Sequence, residues 1–347
     1  MKFVIFLWFS VLHEKAPLVT MELTESLWTI SSVNASTEKV TENGASHTPF
    51  AVFVTILATL AIATNFLLNP LMLFTLRRVT SIQPTTKIFM TSLTLSDFCN
   101  GVFWVFKLTE LYAGKWVLGD FLCAVSGVTV NAFHTLGIFS LLLLTVDRYI
   151  AISWSLRYTQ LMTVRKARVT VSATWATAFI LCLLLFGLYD HKVVSSESPH
   201  FCIRKTYKDW RVYIAILLIS ISLVTIFIIY AHVLVIARRH SKQIAAEVSS
   251  NQHGRRMLHM VNVRSITTIA IITGTLIITW VPCTIMLSIL ASQETMEYND
   301  SFYAVVLSNV LLMSNSWLNV IIYYLRNRDL QQTLCSLLSN LCYSSKS

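Results

Sequence analysis

Residues 121–149 read FLCAVSGVTVNAFHTLGIFSLLLLTVDRY, a run with no Asp, Glu, Lys or Arg from Phe121 to Val146 that ends abruptly on Asp147, Arg148 and Tyr149. About 20 helical residues at roughly 1.5 Å each cross the ~30 Å hydrocarbon core of a bilayer, so this run is long enough to span one. Similar runs, uncharged or nearly so, cover Phe50 to Leu76, Ile88 to Phe106, Val169 to Tyr189, Val212 to Ala237, Ile266 to Gln293 and Ser301 to Leu325. Lipid offers no partner for backbone amides, and runs this long are not barrel strands. The expected fold is therefore an all-α membrane protein, a seven-transmembrane helix bundle.

Composition agrees. Of 347 residues 55% are hydrophobic and 13% are charged, against about 25% charge in an ordinary soluble domain. The net charge of +10 is not a nucleic-acid signature, because the basic residues sit beside apolar runs and are not interleaved with stacking aromatics. The seven cysteines fit neither a zinc pattern nor a dense disulfide framework: Cys99, Cys182 and Cys283 fall inside spans, and Cys123 and Cys202 flank spans on one side.

Charge also orients the bundle. Of the 27 Lys and Arg, 17 lie on the side that holds the C-terminal tail and 10 on the side that holds the N-terminus, which predicts a cytoplasmic tail and an extracellular N-terminus in a multi-pass plasma-membrane protein. Residues 1–49 then form an extracellular segment, 50–325 the bundle, and 326–347 a cytoplasmic tail. Asn34-Ala35-Ser36 is a glycosylation sequon in the outer segment. The apolar stretch Phe3 to Leu12 reads equally as the core of a signal peptide at 1–16 or as retained chain. Past the last span, Leu330, Leu334, Leu337, Leu338 and Leu341 recur at helical spacing, which predicts a short amphipathic helix on the membrane surface.

Asp147-Arg148-Tyr149 does not stand alone. In register with it are Asn65 in the first span, Ser92 to Asp97 in the second, Trp116 and Cys123 before the third, Trp175 in the fourth, Tyr230 in the fifth, Trp280-Val281-Pro282 in the sixth, and Asn315 to Tyr323 in the seventh. This ordered set, from about Phe50 to Cys342, resembles the rhodopsin-like G-protein-coupled receptors. The resemblance implies a receptor that binds an extracellular ligand and activates a heterotrimeric G protein, with arrestin and a receptor kinase as further partners and no catalysis. It assigns coupling and switching to Asp147, Arg148, Tyr149, Tyr230, Trp280, Pro282, Asn319 and Tyr323. It pairs Cys123 with Cys202 in a disulfide that sets Phe201 and Ile203 over the pocket mouth, and it leaves Cys342 as a palmitoylation site or a free thiol.

The departures narrow the reading. Val320 stands where the family has proline after Asn319, and the usual prolines of the fourth and fifth spans are missing, so straighter helices and a differently hinged switch are expected. Asn262 replaces an acid at the base of the sixth span, which predicts a weak inactive-state lock. Asp97, an intramembrane carboxylate, costs several kcal/mol unless it faces polar groups; it matches the family's sodium site with Asn315, Ser316 and Asn319. Gly137 stands where the third helix offers a hydroxyl, which predicts weakened coupling to an allosteric sodium ion, the one metal or cofactor the resemblance suggests.

The pocket face of the third span follows from helix geometry. Arg148 lies 18 residues after Val130, five full turns, so Val130 sits above Arg148 on the same face. His134 lies one turn further in, and Asn309 lies two turns above Ser316. Asn131, Thr284 and Leu287 complete the candidate ligand contacts, with Lys107 and Glu110 read as rim residues. Val130 replaces the aspartate of amine receptors, which argues against a standard monoamine. Met313 stands at the family's retinal attachment position and the seventh span has no lysine, which removes opsin chemistry. A non-signalling scaffold or scavenger receptor is the alternative.

Overall fold

The structure, a computed structural model, describes residues 49–187, 202, 209–247, 271, 274–292 and 298–344. Within these ranges the backbone alone is described at 155, 237, 240–247, 298–304 and 338–344. The described residues fall in one compact unit, residues 47–347. Asn34, Phe201, Ile203, Asn262 and the apolar N-terminal stretch lie outside the described residues, as does the side chain of Cys342.

Every span predicted from hydropathy is a helix: α1 Pro49–Arg78, α2 Pro84–Ala113, α3 Gly119–Ser153, α4 Val164–Cys182, α5 Trp210–Glu247, α6 Gly274–Ser292 and α7 Tyr298–Arg326. An eighth, α8 Arg328–Ser344, follows. All seven of the first set are long and apolar enough to cross a membrane. α1, α2, α3, α5 and α7 continue past their uncharged runs at both ends; α3 covers 35 residues.

Burial shows which face of each helix meets protein. In α1 the buried positions Ala51, Val54, Ala58, Ala61, Asn65, Asn69 and Met72 recur every three or four residues, while Phe53, Ile56, Leu60 and Leu67 are exposed where lipid would lie. The bundle's polar positions are inside, as lipid requires: Asn65, Asn69, Ser96, Ser140 and Asp147 are all fully buried.

α3 is the central strut, packed against α2, α4 and α5. Trp175 of α4 donates from Nε1 to Ser92 Oγ at 2.9 Å, and Ser92 Oγ lies 3.3 Å from Ser140 Oγ, so three helices share one polar contact. Phe133 stacks on Phe103 at 5.6 Å and meets Phe179 edge-on at 5.4 Å. Gly101 permits a close approach of α1 to α2: a Cβ there would lie 2.6 Å from Asn65 Oδ1.

With Val320 in place of proline, α7 runs unbroken to Arg326 and buries Val320 in the main core. α4 ends differently, in a π-turn over Leu183–Gly187. Asn327 starts α8, its Oδ1 accepting from the Asp329 and Leu330 amides at 3.0 and 3.3 Å. Leu330 is fully buried in the same core as Met72 and Val320, which anchors α8 on the bundle.

Candidate functional site

Three polar assemblies and a cavity occupy the bundle. The cavity, about 370 Å³, opens under the Cys123–Cys202 disulfide and is walled by α2 to α7. That volume is within the range of small-molecule sites. The disulfide joins residues 79 apart in sequence with 5.6 Å between Cα atoms, and closing such a loop contributes about 4 kcal/mol in the chain-entropy view.

Val130, Asn131 and His134 of α3, Thr284 and Leu287 of α6, and Asn309 of α7 all line this cavity. The Asn131 amide donates back to Gly127 O at 2.7 Å, and Asn309 Nδ2 donates to Val305 O at 2.8 Å, so both amides are partly occupied by their own helices. His134 Nε2, Trp104 Nε1 and Trp280 Nε1 are buried without a protein partner. Most of the remaining wall is apolar: Phe103, Ile138, Phe139, Leu185, Leu218, Met286 and Leu312 among others.

Lys107 and Glu110 are not rim residues. Glu110 is 0% exposed, and its Oε2 lies 2.5 Å from Lys107 Nζ. Glu110 Oε1 also accepts the Cys202 amide at 2.5 Å, while Lys107 donates to the Cys202 carbonyl at 2.7 Å and lies 5.8 Å over the Trp116 ring. Both backbone polar groups of Cys202 are thus held by one ion pair of α2. Burying a carboxylate costs far less when a partner meets its charge, and here the partner is three residues along the same helix. Glu110 and Asp147 are thus buried carboxylates of the bundle alongside Asp97.

Asp97 lies deeper, at the α2–α7 contact. Its Oδ1 accepts from Ser316 Oγ at 2.9 Å, and Asn65 Nδ2 donates to its backbone oxygen at 3.2 Å. Asn315 Oδ1 is buried without a protein partner. A Cβ on Gly137 would stand 3.7 Å from Asp97 Oδ1, so α3 faces the carboxylate there without offering it a donor.

At the opposite end from the disulfide, Asp147 anchors the third polar assembly. Its Oδ2 accepts from Thr86 Oγ1 at 2.8 Å and from Arg148 Nη2 at 3.1 Å. Its Oδ1 accepts from Tyr158 Oη at 2.6 Å, and Thr85 Oγ1 lies 2.7 Å from the same phenol. Arg148 Nη2 also donates to Thr86 Oγ1. Tyr149 packs edge-on to Trp154 at 5.7 Å and against His232 of α5 at 5.5 Å. Tyr230 accepts from Thr145 Oγ1 at 3.3 Å. Burial first, and then the bond to the Asp147 carboxylate, hold the Tyr158 phenol above its usual range.

Residues 68–323 match the family described as 7 transmembrane receptor (rhodopsin family). The chain belongs to that family. Melanocortin receptor 5 of Mus musculus is 30% identical over 198 residues, 56% of this chain and 54% of that protein. Cannabinoid receptor 1 of Xenopus laevis is 27% identical over 270 residues, covering 72% and 55%. The high-affinity lysophosphatidic acid receptor of Xenopus laevis is 22% identical over 309 residues, covering 83% and 82%. This receptor spans about half the length of the first two. It is a multi-pass membrane protein, and its buried Thr86–Asp147–Arg148–Tyr158 assembly exceeds what the Asp147-Arg148-Tyr149 motif conveys. The sequence signal for Tyr158 is faint, an aromatic nine residues past the motif with no charge of its own.

Proposed function

We propose that the receptor takes an extracellular ligand into the cavity beneath the disulfide and, in response, activates a heterotrimeric G protein at the Arg148 end. The observation that carries the reading is continuity. Trp280, Ile138 and Leu312 line the cavity and also belong to the main core, together with Leu144, Tyr230 and Tyr323, which lead to Arg148. A ligand that fits one packing of this core better than another shifts the population between them, and nothing else is required for signalling.

The charge asymmetry of the loops supports a plasma-membrane orientation with the disulfide end outside. Val130 offers no counter-ion to an amine. In this reading Phe201 and Ile203, flanking Cys202, cover the mouth, Asn34 carries glycan, and Cys342 is the acylation candidate beyond α8. Arrestin and a receptor kinase would use the same Arg148 end. Asp97, Ser316 and the open oxygen of Asn315 suit a sodium ion, with Asn319 beside them in sequence; Gly137 withholds one ligand, so the ion would be held weakly.

The test is a G-protein dissociation assay in cells that express the full chain, first without ligand and then across nucleoside, lipid and peptide panels. Activation by any class supports the reading. Silence throughout, with surface expression confirmed, favours the non-signalling scaffold.

A further inference from the structure

A second hollow, about 330 Å³, lies on the outer surface of the bundle between α5 and α6, formed by Ile216 and Ser220 on one side and Ile285, Ser288 and Ile289 on the other. Thr284 lines both this hollow and the central cavity. Around it Leu217 and Ile221 of α5 and Ile285 of α6 are exposed, and in a membrane-spanning bundle that surface meets lipid. The hollow is bounded at both ends. Toward the disulfide, Tyr213 Oη donates to Ala291 O at 2.9 Å and ties α5 to α6. Toward Arg148, Leu223 and Ile226 share a buried core with Leu276 and Trp280. Between these seals the helices are separated by small hydroxyl side chains, and Ser288 and Ser292 both return their hydrogen bonds to their own helix, at Thr284 O and Ile289 O.

The cavity behind this window has no unmet charge to offer. Among the described residues no carboxylate lines it, and Lys107 is its one charged side chain. The Lys107 ammonium is already met by Glu110 and the Cys202 carbonyl. What the lining does offer is hydrogen bonding without charge: the unpartnered nitrogens of Trp104, His134 and Trp280. A charged ligand would exchange full hydration for an apolar wall with no counter-ion, whereas a carbonyl or hydroxyl oxygen on an apolar body would gain donors.

We propose that the cavity's ligand is an uncharged, bilayer-soluble molecule with one hydrogen-bond-accepting oxygen, and that it enters from the membrane between α5 and α6. This rests on the cavity being the ligand site, but not on G-protein coupling. A molecule that partitions into lipid arrives at the window already concentrated and dehydrated, and Thr284 is the threshold it crosses.

The test uses the full-length receptor in phosphatidylcholine nanodiscs and three fluorescent probes with the same alkyl chain: a neutral acyl amide, an alkyl phosphate and an alkylammonium. Saturable binding of the amide is expected, with both charged probes roughly a hundredfold weaker. Ser288→Trp, at an exposed position in the window, should slow association and dissociation of the amide together by roughly tenfold and leave Kd unchanged. Tyr213→Phe, which removes the tie to Ala291, should speed both. Should Ser288→Trp fail to reach the surface, Ile216→Trp blocks the same opening from α5. Absence of saturable amide binding, a charged probe that binds as tightly, or unchanged exchange rates in a folded tryptophan variant overturns the proposal. Amide binding without G-protein activation leaves it standing and removes the signalling reading instead.

Discussion

Tyr158 donates to Asp147 at 2.6 Å across the bend that follows α3, and this bond closes the second side of a carboxylate whose first side is held by Thr86 and Arg148. Asp147 is fully buried, so each acceptor site on it counts. Tyr158→Phe should loosen the hold on Asp147 and Arg148 by about 1 kcal/mol and raise ligand-free activity several-fold. Thr86→Val, which removes a second donor to Asp147, should act in the same direction. Ligand-free G-protein dissociation, normalised to surface receptor, measures both; unchanged basal activity in both variants would sink the idea. Because the Tyr158 pKa is raised on folding, its contribution is complete below the ordinary phenol range and fades only as pH rises through the raised value. Basal activity should therefore show no step from this residue near neutral pH.

Much of this architecture is legible before any coordinates. Uncharged runs locate α1 to α7 because lipid tolerates little else, and the 3.6-residue period puts Val130 and His134 on the wall that the structure shows around the cavity. Helix ends are not legible in the same way: α3 begins at Gly119 and ends at Ser153, outside its apolar run, because beyond the hydrocarbon core polar residues are as acceptable in helix as apolar ones. Lys107 and Glu110 look like rim residues for a physical reason as well. Nothing in their own helix reveals that Cys202, 92 residues away from Glu110, will fold back to accept and donate there. Likewise Tyr158 reaches Asp147 only because the chain turns sharply at Ser155–Arg157.

Glu110→Gln should be costly. It leaves the Lys107 ammonium near the cavity roof without its counter-ion and weakens the acceptor for the Cys202 amide, for a loss of about 3 kcal/mol. The double variant Lys107→Met with Glu110→Gln should recover much of that loss, since neutralising both partners removes the stranded charge. Thermal unfolding of the purified receptor reads the difference. Equal melting temperatures for the single and double variants would show that the pair is not coupled.

Gly101→Ala tests the approach of α1 to α2. The added methyl would stand 2.6 Å from Asn65 Oδ1 and 3.0 Å from its Cγ, and Asn65 cannot swing away freely because its amide donates to Asp97 O. A destabilisation of about 1–3 kcal/mol is expected from overpacking, visible as reduced surface expression and a lower melting temperature. Asn65→Ala in the same background should relieve the clash, so a double variant no better than Gly101→Ala alone would show that the strain lies elsewhere.

Gly137→Ser asks whether α3 limits sodium binding. The Cβ would lie 3.7 Å from Asp97 Oδ1, an ordinary contact, so the substitution fits without displacing the carboxylate. Its hydroxyl would add an oxygen beside Asp97, Ser316 and the unpartnered Asn315 Oδ1, and hard cations gain affinity as oxygens are added to a preformed set. The wild-type receptor should melt at nearly the same temperature in sodium chloride and in N-methylglucamine chloride at equal ionic strength. The variant should melt several degrees higher in sodium, because a ligand that binds only the folded state stabilises it by mass action. Asp97→Asn on the Gly137→Ser background should abolish the difference. A variant indifferent to sodium would mean that the missing hydroxyl is not what weakens the site.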